Sequence, residues 1–85
     1  TPQKLEYEGL AYLQIKNYEK AIAIFQKLAA DQSQLVNKGL FYEAIALIQS
    51  NKNGEAKIVL EKITESTDES IFGKKEAKEL LEIVQ

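Results

Sequence analysis

Any chemistry in this chain has to come mainly from carboxylates, lysines and tyrosines, because histidine and cysteine are both absent. Two carboxylate pairs, Glu61 with Glu65 and Glu76 with Glu79, have the spacing of one helical turn, and such pairs act as acid and base in some enzymes. Lysines alternate with these acids, which is typical of a solvated, charge-balanced helix face. We therefore expect a protein that is not an enzyme.

The same composition argues against cofactor and metal sites. Without cysteine or histidine there are no disulfides, thiolate or imidazole ligands, cysteine nucleophiles or histidine-dependent triads. The segment Gly73-Lys74-Lys75 lacks the upstream glycine of a phosphate-binding loop, and Asp68-Glu69 lacks the oxygen spacing of a calcium loop. We expect no cofactor, no metal and no small-molecule substrate.

Charge and hydropathy restrict the partners further. All 11 basic residues are lysine, against 13 acidic residues, and the net charge of −2 argues against nucleic acid as a partner. The longest apolar run, Ala21 to Phe25, is far too short to span a bilayer. We expect a soluble fragment, cytoplasmic or periplasmic, that meets a membrane only through a segment outside it. Thr1 then begins an excised or processed piece, and the arginine-free composition is compatible with a larger bacterial protein.

The elements that position these side chains are predicted to be helices. A chain of 85 residues is one domain, 1–85, and its single proline, few glycines and many Ala, Leu, Ile, Lys and Glu residues favour an all-α fold. Small polar clusters divide it into five helices near 3–16, 18–30, 34–50, 54–65 and 68–84. Asn17 and Asn53 are predicted N-caps, and Ser66 with Glu69 forms a predicted capping box.

An internal repeat is the most informative feature of the sequence. At a shift of 35 residues, Leu5, Tyr7, Glu8, Ala11, Gln14, Ala21 and Lys27 meet identical residues. At a shift of 33, the segment from Glu43 to Ile48 matches that from Glu76 to Leu81 in part. The repeating unit is a pair of helices, present twice and followed by the first helix of a third copy. A generic five-helix bundle with an accidental repeat is the alternative.

These residues resemble the tetratricopeptide repeat (TPR) family. Its helix-turn-helix unit has a small residue, then a large one three later, an alanine nine later and a large one four later. Gly9, Tyr12, Ala21 and Phe25 match in the first unit, and Ala44, Leu47, Ala56 and Leu60 match in the second. The small members of each unit are predicted to lie at helix seams, where paired helices approach closely. The resemblance implies antiparallel helix pairs stacked as a right-handed superhelix, with repeats at 3–30 and 34–65. The helix at 68–84 then either caps the array or begins a truncated third repeat.

The resemblance also implies where a partner binds. TPR arrays hold peptides or helices on a concave surface lined by the first helix of each pair. We call the corresponding positions here the inner surface: Tyr7, Leu10, Gln14, Lys38, Phe41, Tyr42, Ile45, Gln49, Lys75 and Lys78. Gln3, Glu6, Leu13, Ile48, Lys74 and Glu82 belong to the same helix faces. One end of this surface is aromatic and aliphatic and the other is basic, which suits a peptide with apolar and acidic side chains.

The family's chaperone-tail subclass is not expected. Of the positions that would hold the carboxylate, only Lys75 fits, and Glu6 would repel it. Two interpretations of the inner surface remain open. It binds a peptide or partner helix as a scaffold for protein–protein interaction, or the chain is a structural spacer or self-association unit. In the second case Phe41, Tyr42, Ile45 and Ile48 are covered by another copy or a flanking domain, or Leu10, Leu13, Ile45 and Ile48 complete the core.

Overall fold

Five α-helices and the turns between them make up residues 1–84, which are the residues described by the computed structural model. The helices are α1 (Pro2–Gln14), α2 (Tyr18–Ala30), α3 (Gly39–Gln49), α4 (Asn53–Glu65) and α5 (Lys74–Val84). These residues contain no strand, only one isolated parallel bridge between Asn37 and Ile71. The predicted all-α class with five helices is therefore confirmed. The predicted domain runs to residue 85, and Gln85 lies outside the described residues.

The turns α1–α2 and α3–α4 have the same backbone geometry. Lys16 and Asn51, which are 35 positions apart, both adopt a φ of 63° just after their helix. The amide that follows each of them donates to a carbonyl of the preceding helix, at 2.9 Å after Lys16 and 2.8 Å after Asn51. A residue with a left-handed φ, followed by an amide that donates back to a carbonyl of the preceding helix, is the Schellman motif, which ends a helix sharply. The repeat detected in the sequence thus appears in the backbone of these turns.

Of the two predicted asparagine N-caps, the one at α2 is present in the structure and the one at α4 is not. The Oδ1 atom of Asn17 accepts a hydrogen bond from the backbone N–H of Lys20 at 3.4 Å, so the predicted cap of α2 is confirmed. The prediction for α4 is wrong, because its N-cap is Lys52 and no side chain bonds the helix start there. Asn53 is instead the first residue of the helix.

The third helix begins later than predicted, at Gly39 rather than near residue 34. Asn37 is the physical reason, because its side chain satisfies backbone groups that a longer helix would use. Its Nδ2 donates to the carbonyls of Ala29 at 3.0 Å and Asp31 at 3.2 Å, and its Oδ1 accepts from the N–H of Gly39 at 2.9 Å. Residues 34–38 therefore form a loop.

The fifth helix also begins later, at Lys74 rather than near residue 68. The predicted capping box of Ser66 and Glu69 does not start a helix. Instead Asp68 Oδ1 accepts hydrogen bonds from the backbone N–H (2.9 Å) and the hydroxyl (2.7 Å) of Ser70. This closes a turn that stabilises the loop, and Gly73, at a φ of 100°, redirects the chain into α5.

The two loops between helix pairs are joined to each other. The backbone N–H of Asn37 donates to the carbonyl of Ser70 at 2.6 Å, and the N–H of Phe72 donates to the carbonyl of Asn37 at 2.9 Å. Asp31 repeats the turn of Asp68, since its Oδ1 accepts from the N–H of Ser33 at 3.0 Å and from its hydroxyl at 2.6 Å. Equivalent loops therefore lie side by side.

Helices pack in chain order, α1 on α2, α2 on α3, α3 on α4 and α4 on α5. The result is a slab whose Cα atoms span 31 × 29 × 14 Å. Its buried apolar residues form two clusters, one centred on Phe25 and Leu28 and one on Leu60 and Ile63. Ile22 on α2 packs against both, so the clusters are neighbours in the slab.

The small residues predicted to lie at helix seams are buried. Ala21, Ala44 and Ala56 have no exposed surface, and Gly9 is buried as well. A Cβ atom on Gly9 would lie 2.7 Å from Cδ1 and 2.9 Å from Cζ of Phe25, so only glycine allows α1 to approach this ring so closely.

Among residues 1–84, no helix combines the length and apolar character needed to cross a bilayer.

Candidate protein-binding surface

All of the predicted inner-surface residues reach solvent. Gln14, Gln49, Lys75 and Lys78 are exposed, as is Tyr7, whose exposed fraction is 63%. The other members are half-buried: Leu10, Lys38, Phe41, Tyr42 and Ile45. The surface therefore offers exposed polar and aromatic groups beside apolar groups that are anchored in the fold.

Aromatic rings form a connected run on the α3 side of this surface. The centroid of Tyr42 lies 5.2 Å from that of the buried Phe25 and 6.2 Å from that of Phe41. Phe41 in turn meets Phe72 edge to face at 5.3 Å. Distances of this size are typical of favourable aromatic pairs. The rings are thus held in place by one another while Phe41, Tyr42 and Phe72 keep part of their surface in water.

Phe72 falls within the range predicted for the fifth helix, 68–84, but the structure places it in the loop before α5. There it lies beside Phe41, and the ammonium group of Lys38 lies 5.6 Å from its ring centroid. A lysine over an aromatic face is a cation–π contact. Phe72 therefore belongs with the candidate surface, and an aromatic residue next to a glycine before the helix was the available signal.

The apolar members divide into core-supporting and free residues. Leu10 and Leu13 pack against the Phe25 cluster, and Ile48 packs against the Leu60 cluster, so these side chains partly complete the core. Ile45 is half-buried and, within residues 1–84, is part of neither packed set. Ile45 and Tyr7 are consequently the apolar groups whose contacts with a partner can be tested with least effect on the fold.

Two cavities lie elsewhere. The larger, about 520 Å³, lies between the two interhelix-pair loops, with Gln34, Asn37, Ser70 and Ile71 in its lining. Gln34 Nε2 already donates to the carbonyls of Leu28 and Asp31, each at 2.8 Å, and Asn37 is bonded as described above. These polar groups hold the loops together. The smaller cavity is formed by α2, α3 and α4.

The loop carboxylates have perturbed acidities for a local reason. The hydroxyl and the N–H of Ser33 lower the pKa of Asp31, and the same groups of Ser70 lower the pKa of Asp68, because both donors stabilise the ionised form. Within residues 1–84, no three acidic side chains come close enough together to form a metal site. The hydrogen bonds of Asp31 and Asp68 therefore stabilise turns.

Comparisons of the chain with protein-family models, with curated proteins and with solved structures found no match.

Proposed function

We propose that this chain is a non-catalytic protein-interaction module of the TPR type, and that its inner surface binds a peptide or a partner helix. The proposed architecture is a right-handed stack of two helix pairs and one further helix. Its support is the pair of equivalent Schellman turns 35 positions apart, the buried small residues at the seams and the chain-order packing of the helices.

The aromatic run is the observation that carries the binding proposal. Tyr42, Phe41 and Phe72 are pre-positioned by contacts with each other and with Phe25, so a partner that covers them orders few additional side chains. Tyrosine also has a large rigid face with a polar tip, which makes it frequent among residues that dominate binding. Tyr7, exposed on α1, supplies a second such group.

The basic end of the surface suggests the polarity of the ligand. Lys75 and Lys78 are exposed on α5, and Lys38 lies over Phe72 at the start of α3. A peptide with an apolar side chain for the aromatic run and carboxylates for the lysines would satisfy both ends. The charge contribution should weaken as salt is added.

A selected peptide provides the test. The chain is immobilised, a random peptide library is displayed against it, and the affinity of an enriched peptide is measured for variants. We expect Tyr7→Ala to weaken binding by about tenfold or more, as expected for loss of a dominant aromatic contact, and Ile45→Lys to weaken it similarly. Tyr42→Ala should also weaken it while leaving helicity intact.

Ile15→Ala is the matched control, because Ile15 is an exposed aliphatic residue (70%) at the end of α1 and belongs neither to the inner surface nor to the cavity between α2, α3 and α4. It should leave the affinity unchanged. Unchanged affinity in both Tyr7→Ala and Ile45→Lys would contradict the proposal. Unfolding of Tyr42→Ala would assign that tyrosine to the core and remove it from the site.

Self-association is the second candidate, favoured by exposed apolar residues outside the inner surface. Leu35 is 92% exposed and Val36 is 55% exposed, side by side in the loop before α3. Light scattering over a range of concentrations separates the candidates. A self-associating unit gains mass with concentration, whereas a peptide receptor keeps the mass of a monomer.

A further inference from the structure

The smaller cavity is a groove on the side of α3 away from the inner surface. Its volume is about 240 Å³, and we call it the outer groove. α2 and α4 form its walls and α3 its floor, with Lys52 and Glu55 at the start of α4. The lining side chains are Ile22, Gln26, Glu43, Leu47, Lys52, Glu55, Ile58 and Val59.

Helix geometry separates this groove from the inner surface. Successive residues of an α-helix are rotated by about 100°, so residues two apart are about 200° apart. Glu43 is two residues after Phe41, and Leu47 is two residues after Ile45. The groove floor and the inner surface therefore lie on opposite sides of α3, and a ligand in one does not cover the other.

Glu43 is the unusual residue of the groove. It is only 8% exposed, although a buried carboxylate is costly unless it is paired or hydrogen-bonded. Gln26 Nε2 donates to its Oε2 at 3.0 Å. Within residues 1–84, no fully buried side-chain oxygen lacks a partner. Oε1, which receives no protein hydrogen bond there, therefore retains contact with solvent, and Glu43 lines the groove.

The walls around this carboxylate are aliphatic. Leu47 and Val59 are nearly buried, Ile22 is half-buried, and Ile58 is 57% exposed at the opening. A ligand that fits this arrangement needs an apolar stem to cover the walls and a cationic donor for Oε1. The lining carries two carboxylates and one lysine, so its charge also favours a cation.

We propose that the outer groove binds an arginine side chain of a protein partner. The three methylene groups of arginine suit the aliphatic walls. Its guanidinium group is more weakly hydrated than an ammonium group and has several N–H donors, so it loses less on entering a partly apolar groove. One N–H donates to Glu43 Oε1, and the others remain available to Glu55 or solvent. The chain then has two binding faces, one on each side of α3.

Two blocked amino acids serve as probes: N-acetyl-arginine amide and its neutral isostere N-acetyl-citrulline amide. Each is titrated into the folded chain while backbone amide shifts are recorded. The arginine probe should bind saturably in the millimolar range and shift the amides of Gln26, Glu43 and Ile58. The citrulline probe should bind at least about tenfold more weakly, because its ureido N–H groups can still donate to the carboxylate but carry no positive charge.

Variants assign the effect to the carboxylate. Glu43→Gln keeps the size of the side chain and should weaken binding of the arginine probe at least about tenfold. Glu8→Gln is the matched control, since Glu8 occupies the same repeat position but is exposed on α1, and it should have no effect. Tyr7→Ala should also leave this binding unchanged, which separates the outer groove from the inner surface.

A second variant covers the case in which Glu43→Gln does not fold. Ile58→Lys adds a like charge at the exposed opening and should reduce arginine binding, whereas Ile15→Lys, 70% exposed at the end of α1, should not. Absence of saturable binding overturns the proposal. Equal binding of the two probes, arginine binding retained in folded Glu43→Gln, or shifts confined to the inner surface also overturn it.

Discussion

Gly9 shows how one residue sets the distance between two helices. Its hypothetical Cβ would overlap the ring of Phe25, and that ring is fully buried, so it has no free space into which to move. Gly54 is the opposite case, because a Cβ there meets nothing within 4 Å. Replacing Gly9 therefore tests the close packing of two helices, and replacing Gly54 tests the flexibility of the chain without any crowding.

Gly9→Ala should lower the free energy of unfolding by about 1–2 kcal/mol, because overpacking outweighs the better helix propensity of alanine. Gly54→Ala should raise it by about 0.5–1 kcal/mol, since α4 gains propensity and nothing is crowded. Urea unfolding followed by circular dichroism measures both changes. A stabilised Gly9→Ala variant would show that α1 moves away from Phe25 without cost.

The serine partners of Asp31 and Asp68 determine the acidity of these carboxyls. Ser33→Ala should raise the pKa of Asp31 and leave that of Asp68 unchanged, because each serine donates only within its own turn. Ser70→Ala should do the reverse. Carboxyl chemical shifts followed through an acid titration measure both, and equal pKa values in parent and variants would contradict the assignment.

The sign of the pH effect follows from the lowered pKa values. An unfolded aspartate has a pKa of about 3.9, and the pKa of each of these folded aspartates is lower. The stabilisation by each turn is therefore present above the unfolded pKa and is lost as the pH falls through the folded pKa. Both serine variants should reduce the dependence of stability on pH in the acid range.

At the scale of the element, Asn37 decides where α3 begins. Residues 34–38, just before Gly39, contain no glycine or proline, so local propensity extends a helix to residue 34. The helix does not extend over these residues because Ser70 and Phe72, in a loop more than thirty positions away, form hydrogen bonds with the backbone of Asn37. The late start of α5 has the same cause, because its preceding loop is the other half of this contact.

Asn37→Ala should lower the free energy of unfolding by about 2–3 kcal/mol, because it leaves the buried N–H of Gly39 without its acceptor and frees two carbonyls. Asn53→Ala is the control: its side chain makes no capping bond, and the change should stay within about 0.5 kcal/mol. Similar losses in both variants in urea unfolding would show that Asn37 is not the stabilising residue.

At the scale of the whole molecule, the sequence predicts the features that depend on residues close together in the chain. The number of helices, the buried seams at Gly9, Ala21, Ala44 and Ala56, and the α1–α2 turn follow from patterns within one helix pair. The sequence does not reveal the outer groove, because its carboxylate and its amide partner, Glu43 and Gln26, come from different helix pairs. The identity of Glu43 with the exposed Glu8 was the only sequence signal, and it does not reveal burial.

The chain-order packing also determines how a pulling force would travel through this slab. Each helix is held mainly by its immediate neighbours, with the loop bridge at Asn37 as an additional link between the pairs. Tension applied at the two termini would load these contacts in series. The chain should therefore lengthen in successive steps under load, as one set of helix contacts opens after another.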